Sequence, residues 1–209
     1  MGGDKQKGER RTQILQAIAA MLEEPGAEKI TTAALAARLQ VSEAALYRHF
    51  PGKAQMFDGL IAFIETSLFS LINQVMNQEE EGLVQIELIL ANLLRFAAKN
   101  HGLTRILTGW ALVHEHPRLQ IRVNQLLARL EATIKQALRL AAARGQIAPE
   151  RDVAAQAQML MSFVLGRWQQ FSQGGFKGAL LEHWPAQWLI LQGQVTAEGS
   201  PDERRLASD

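Results

Sequence analysis

The chain contains no cysteine, so no disulfide staples it and no thiol can act as nucleophile or metal ligand. That absence suits a reducing cytoplasm. Aromatic residues make up only 6% of it, with a single tyrosine, and there are six prolines. No unbroken apolar run reaches the roughly 18–20 residues of a membrane-spanning helix, so no membrane span is expected. The opening "MGGDKQKGERRTQ" lacks the apolar core of a secretory signal and the Ser/Thr at position 6 of a myristoylated terminus. The formal net charge is only +1, so a basic footprint for nucleic acid has to be local.

Chemistry is also missing. There is no P-loop, no Gly-rich phosphate loop and no GxSxG. The "HEH" of 114–116 puts two histidines about 200° apart on a helix, unlike the one-face spacing of HExxH, and next to Pro117 it reads as a helix end or turn. Trp and Met fall at core spacing. No enzyme activity, metal or cofactor is expected.

What remains is a chain of 209 residues dominated by Ala, Leu, Gln, Glu and Arg, all strong helix formers apart from their context. Its apolar residues recur at 3/4 spacing almost throughout, which implies an all-α protein. Residues 1–9 carry glycines and charges without a period and read as a disordered basic arm. A helix follows from Arg10 to Glu24 on Ile14, Leu15, Ile18, Met21 and Leu22, stopped by "EPGAEK". Thr31 or Thr32 caps a second helix with Leu35, Ala36 and Leu39 inward, and Ser42 caps a third. Three short helices of this kind, the last two joined by a tight turn, form a helix-turn-helix unit over 10–53.

The third helix, in "VSEAALYRHFPGK" (41–53), explains its own composition when placed on a wheel. Leu46 and Phe50 share an inner face, and Ala44, Ala45 and Arg48 lie opposite. The outer face is small enough for the backbone to approach base edges. Arg48 can reach guanine or phosphate, and an alanine methyl can meet a thymine methyl. Tyr47 and His49 on the edges and Lys53 beyond are spaced for phosphates. With Thr31, Thr32 and Ser42 at the helix starts, these residues form the expected DNA-binding set. An ordinary solvated helix would show a similar pattern, but the capped helix before it and the basic flank of Lys5, Lys7, Arg10 and Arg11 favour DNA.

Residues 54–195 read as a larger helical domain. Its first helix, 54–77, has a stripe of Phe57, Leu60, Ile61, Ile64, Leu68, Leu71, Ile72 and Val75. "NQEEEG" ends it. The next, 83–99, turns Ile86, Ile89, Leu90, Leu93, Leu94 and Ala97 inward and is stopped by "NHG". "LTRILTGWALVHEH" then runs to Pro117, and a long helix spans 119–143. The last two helices, 152–172 and 183–195, are unusually apolar and flank a Gly174-Gly175 break. The tail 196–209 has no period and reads as disordered.

The stretch "ITTAALAARLQVSEAALYRHFPGKAQMFDGLI" (30–61) resembles the TetR family of DNA-binding regulators. Two further segments, "GLTRILTGWAL" (102–112) and "RVNQLLARLEA" (122–132), resemble the branch of that family that acts in nucleoid occlusion. The resemblance covers about Arg10 to Val195. It implies an N-terminal helix-turn-helix domain plus a helical dimerisation domain, and a homodimer paired through the last two helices on palindromic DNA. It also implies a cytoplasmic, nucleoid-associated protein that antagonises the division protein FtsZ through the disordered FtsZ C-terminal tail.

A groove for such a tail has candidates in the sequence. Leu88, Asn92, Arg95 and Lys99 lie opposite the core stripe of their helix, and Phe63 falls off the stripe of its own. The same residues could equally be a solvated face and a contact between domains. The alternative function is a ligand-responsive repressor of the same fold, since apolar cores and pockets look alike in one dimension.

Overall fold

The computed structural model describes residues 2–24 and 30–196. Over them the chain forms nine α-helices and one short 3-10 helix: α1 Gly2–Glu23, α2 Thr32–Arg38, α3 Glu43–Tyr47, α4 Lys53–Gln78, α5 Gly82–Lys99, α6 His101–Leu107, the 3-10 helix Trp110–Leu112, α7 Pro117–Ala143, α8 Val153–Gln173 and α9 Trp184–Thr196.

The helix starts follow local chemistry. Thr31 Oγ1 accepts from the Ala34 N–H, Ser42 Oγ from the Ala45 N–H, and the Asp152 carboxylate from Ala154 and Ala155. Each satisfies an N–H that a helix start leaves unpaired. The segment 1–9, expected as an arm, is helical from Gly2. It contains no proline, and the helix anchored by buried Ile14, Ile18 and Leu22 extends backward through it despite its three glycines. The 25–29 loop and residues 197–209 of the expected tail lie outside the described residues, and Thr196 closes α9.

Two breaks differ from expectation. "NHG" does end α5, but Gly102 then sits inside α6, where an added Cβ would lie 2.1 Å from the Ala19 carbonyl oxygen. This glycine permits α1 and α6 to touch; it does not end a helix. The run 103–116 is not one helix. Gly109 adopts φ 77, the chain passes through the 3-10 turn, and Pro117 takes the first position of α7, where its missing N–H leaves nothing unpaired. His116 Nδ1 caps that start by accepting from the Arg118 N–H at 3.2 Å.

The larger domain is built around α5. Its buried stripe meets Val123, Leu126, Leu130, Ile134 and Leu138 of α7 and Leu160, Val164 and Trp168 of α8. The Trp168 indole N–H donates to the Leu93 carbonyl at 3.1 Å, so this large side chain is buried without an orphan polar group. Helix α4 runs from the recognition unit into this domain. By length and mean hydropathy it could cross a bilayer, although it holds no unbroken apolar run. Its apolar residues are instead sorted by face. Eight are buried, Leu71 is exposed contrary to its expected place in the stripe, and Asp58 and Glu65 are paired with α7.

Candidate nucleic-acid interface and partner groove

The recognition segment is short for local reasons. Ser42 fixes its start, and Pro51 disfavours helical dihedrals at Phe50, so α3 ends at Tyr47 with Arg48 as C-cap. The turn before it places Gln40 at φ 54, a left-handed conformation that L side chains seldom adopt. Leu46 and Phe50 are buried as the wheel required, while Ala44, Tyr47 and Arg48 are exposed. Ala45 and His49 are half-buried. The Thr32 hydroxyl donates to the Glu43 carboxylate at 2.5 Å, and the Tyr47 hydroxyl lies 3.4 Å from Thr32 Oγ1. Thr32, Glu43 and Tyr47 thus form one exposed cluster across α2 and α3. Of the nine expected DNA-binding residues, Thr31, Ser42, Ala44, Tyr47 and Arg48 are exposed, and Thr32, Ala45, His49 and Lys53 are half-buried.

Three positions behave differently from a free basic rim. Arg11, counted from the sequence only as local charge, donates Nη1 to the His49 carbonyl at 3.0 Å and lies over the Phe50 ring at 4.3 Å. It therefore caps the recognition segment from α1. His49 is half-buried, with its Nδ1 buried and without a hydrogen-bond partner. Lys53 forms an ion pair with Glu115 of the larger domain; their side chains are 26% and 8% exposed.

A second tie joins the domains further back. Arg105 of α6 is buried, and its Nη1 donates to the carbonyls of Leu22 at 2.7 Å and Glu24 at 3.0 Å, at the end of α1. Burial lowers its pKa from the ordinary guanidinium value, and the charge of Glu23 opposes that shift. The guanidinium also lies over Trp110 at 4.5 Å and Phe176 at 5.2 Å. Phe176 in turn stacks on His101 at 4.5 Å and holds φ 61. The sequence did not single out Arg105, since its partners lie more than eighty residues away.

The expected partner residues do not all come together. Phe63 is 53% exposed and, with Leu60, faces Leu15 and Ala19 of α1 and Asn100 and Leu103 at the α5–α6 junction, around a cavity of about 320 Å³. Asn92 accepts from Arg95 at 3.2 Å, and Arg95 and Lys99 are exposed along α5. Leu88 is half-buried against the core, which removes it from the exposed row. The cavity reaches that row only through Asn100, the neighbour of Lys99.

At the far side, α8 and α9 leave Met159, Leu189 and Ile190 exposed, the last two at 69% and 67%. Helix α9 is apolar on opposite faces, with Trp184, Trp188 and Val195 turned inward. Among the described residues no three His, Asp or Glu side chains gather closely enough to hold a metal ion.

Residues 14–60 match the bacterial regulatory proteins of the tetR family, and residues 80–196 match a tetracyclin repressor-like C-terminal domain of the SlmA-like type. The nucleoid occlusion factor SlmA of Idiomarina loihiensis is 49% identical over 191 residues, covering 91% of this chain and 97% of that protein. The SlmA of Vibrio vulnificus is 47% identical over 197 residues, covering 93% of this chain and all of its own. Among solved structures, the fatty acid degradation regulator FadR of Bacillus halodurans superposes with a TM-score of 0.75 at 17% identity, covering 90% of this chain and 97% of its own. The TetR family regulator PfmR of Thermus thermophilus superposes with a TM-score of 0.73 at 20% identity, covering 86% and 97%. At these identities the two structures bear on the fold alone.

Proposed function

This chain belongs to the SlmA family of nucleoid occlusion factors, a branch of the TetR regulators, and we propose that it carries out that function as a DNA-bound dimer. The observation that carries the reading is similarity to SlmA proteins along nearly the whole chain, recognition unit and larger domain together. In this reading a cytoplasmic, nucleoid-associated homodimer occupies palindromic DNA sites and, from there, antagonises assembly of the FtsZ ring.

Ala44, Ala45 and Arg48 face base edges. Thr31, Thr32, Ser42, Tyr47, His49 and Lys53 contact phosphate, with Thr32 and Tyr47 acting through their shared cluster. The second copy covers Met159, Leu189 and Ile190, large apolar side chains that α8 and α9 leave exposed. The two recognition segments then read half-sites about one helical turn, roughly 34–36 Å, apart. The FtsZ tail docks at the Phe63 cavity, with Asn92, Arg95 and Lys99 supplying polar and positive contacts along α5.

The test starts with selection of a bound duplex from random-sequence DNA. Arg48→Ala should weaken the selected duplex by about 1–3 kcal/mol while leaving random DNA nearly unaffected. A labelled FtsZ tail peptide should bind the wild-type complex and lose affinity with Phe63→Ala. A tail that binds neither free nor DNA-bound wild type would move the reading to a ligand-responsive repressor.

A further inference from the structure

The polar contacts between α4 and α7 have one sense along their length, and it reverses at the end nearest α3. Asp58 of α4 pairs with Arg118 at 2.8 Å and Arg122 at 3.0 Å. Glu65 pairs with Arg129 and lies 3.9 Å from Arg122. In each case α4 supplies the acid and α7 the arginine. At the first residue of α4 the roles invert: Lys53 is the cation, and Glu115, in the turn before α7, is the acid.

This turn is held from both sides. The Glu115 N–H donates to the Leu112 carbonyl at 3.0 Å, and Arg118, three residues on, is anchored on Asp58. The carboxylate is fixed and nearly buried, whereas Lys53 has a flexible four-carbon stem and remains partly exposed. Lys53 follows Arg48 by five residues and stands where a phosphate contact is expected.

We propose that Glu115 is an internal competitor for the phosphate contact of Lys53, a carboxylate that DNA must displace when the recognition segment docks. The inference rests on the reading above in which Lys53 touches DNA. The exchange replaces one anion on the ammonium, the Glu115 carboxylate, by another, a DNA phosphate. A phosphate carries no sequence information, so the competition weakens specific and random DNA alike. It acts as a set-point on overall affinity and leaves the ratio between sites unchanged.

The experiment measures dissociation constants for the selected duplex and a random-sequence duplex with wild type, Glu115→Gln, Lys53→Met and the double variant. Thermal melting checks that each is folded, and Glu115→Ala serves as a second way to remove the charge. Removing the carboxylate should tighten both duplexes by about three- to fivefold, the range of a partly screened ion pair. Lys53→Met should weaken both and make the salt dependence shallower by about one phosphate. In the Lys53→Met background, loss of Glu115 should have no further effect. Unchanged or weaker binding by Glu115→Gln and Glu115→Ala, with Lys53→Met still impaired, overturns the competition and leaves Lys53 as a DNA contact. Tightening that persists without Lys53 also overturns it, because the charge would then act on DNA directly. No effect of Lys53→Met on either duplex removes the DNA reading of Lys53 itself.

Discussion

The larger domain and the recognition unit share one apolar cluster but differ in how much polar bonding is added to it. In the larger domain, stripes from α4, α5, α7 and α8 merge into a continuous apolar core, with Trp168 buried at its centre. In the recognition unit Leu35, Leu46 and Phe50 join the same apolar cluster through α1, α4 and α6, and directed polar contacts are added at its edges. Arg105 holds the end of α1, Arg11 holds the end of the recognition segment, and Glu115 holds the start of α4. A core resists deformation because every displaced atom loses contacts. A polar tie can be exchanged for another of the same charge. Polar ties of this kind, Lys53 to Glu115 and Arg11 to the His49 carbonyl, gather around the recognition segment.

The largest effect should come from the core. Trp168→Ala removes a fully buried indole and its bond to the Leu93 carbonyl, and should lower stability by about 3–5 kcal/mol in a urea titration. Because α4 belongs to both halves, DNA binding should disappear in the same transition. A variant that keeps DNA affinity after this loss would make the halves independent and break the contrast.

Arg105→Met should have a smaller effect on stability and a sharper one on geometry. It leaves the Leu22 and Glu24 carbonyls without their donor, at about 1–3 kcal/mol for a buried unsatisfied group. The expected signature is weaker binding to the selected duplex at temperatures where circular dichroism still shows a folded protein. Equal loss of helix content in both halves would instead make Arg105 part of the common core.

The smallest effect belongs to a cap in the larger domain. Backbone N–H groups of Ala155 and Ala154 hold the Asp152 carboxyl below its ordinary pKa. A carboxyl depressed on folding contributes stability above the ordinary value near pH 3.9, and loses it as pH falls through the lower folded value. The stability gap between wild type and Asp152→Asn should therefore be full at neutral pH and narrow below about pH 4. DNA affinity at neutral pH should not change, since this cap lies at the start of α8. A constant gap from pH 7 to pH 3 would assign the cap to hydrogen bonding without charge.

Much of the fold was legible because it is written in local periodicity. The stripes of α5, α7 and α8, the Thr31 and Ser42 caps, and the inward turn of Leu46 and Phe50 all depend on neighbours within about two helical turns. The features that were not legible depend on chain segments far apart. Arg11 meets His49 across 38 residues, Lys53 meets Glu115 across 62, and Arg105 meets Leu22 across 83. A charged residue on a helix looks the same whether it faces water or a carbonyl of another element. Gly102 read as a stop for the same reason, since its close contact with Ala19 is tertiary. For the partner groove, Phe63 was visible as an aromatic off its stripe, but its neighbours on α1 were not. For α9, the apolar composition was visible in the sequence, but which residues face outward was not, and Leu189 and Ile190 are the exposed ones.

The central claim is that the DNA-bound dimer acts on FtsZ, and sedimentation of FtsZ polymers tests it most directly. With GTP present, FtsZ would be pelleted alone, with this protein, and with this protein plus its selected duplex. The account predicts co-pelleting of the protein and altered polymer yield, strongest with the duplex present and lost in Phe63→Ala. A protein that binds its duplex tightly yet neither co-pellets with FtsZ nor changes the polymer yield would contradict it.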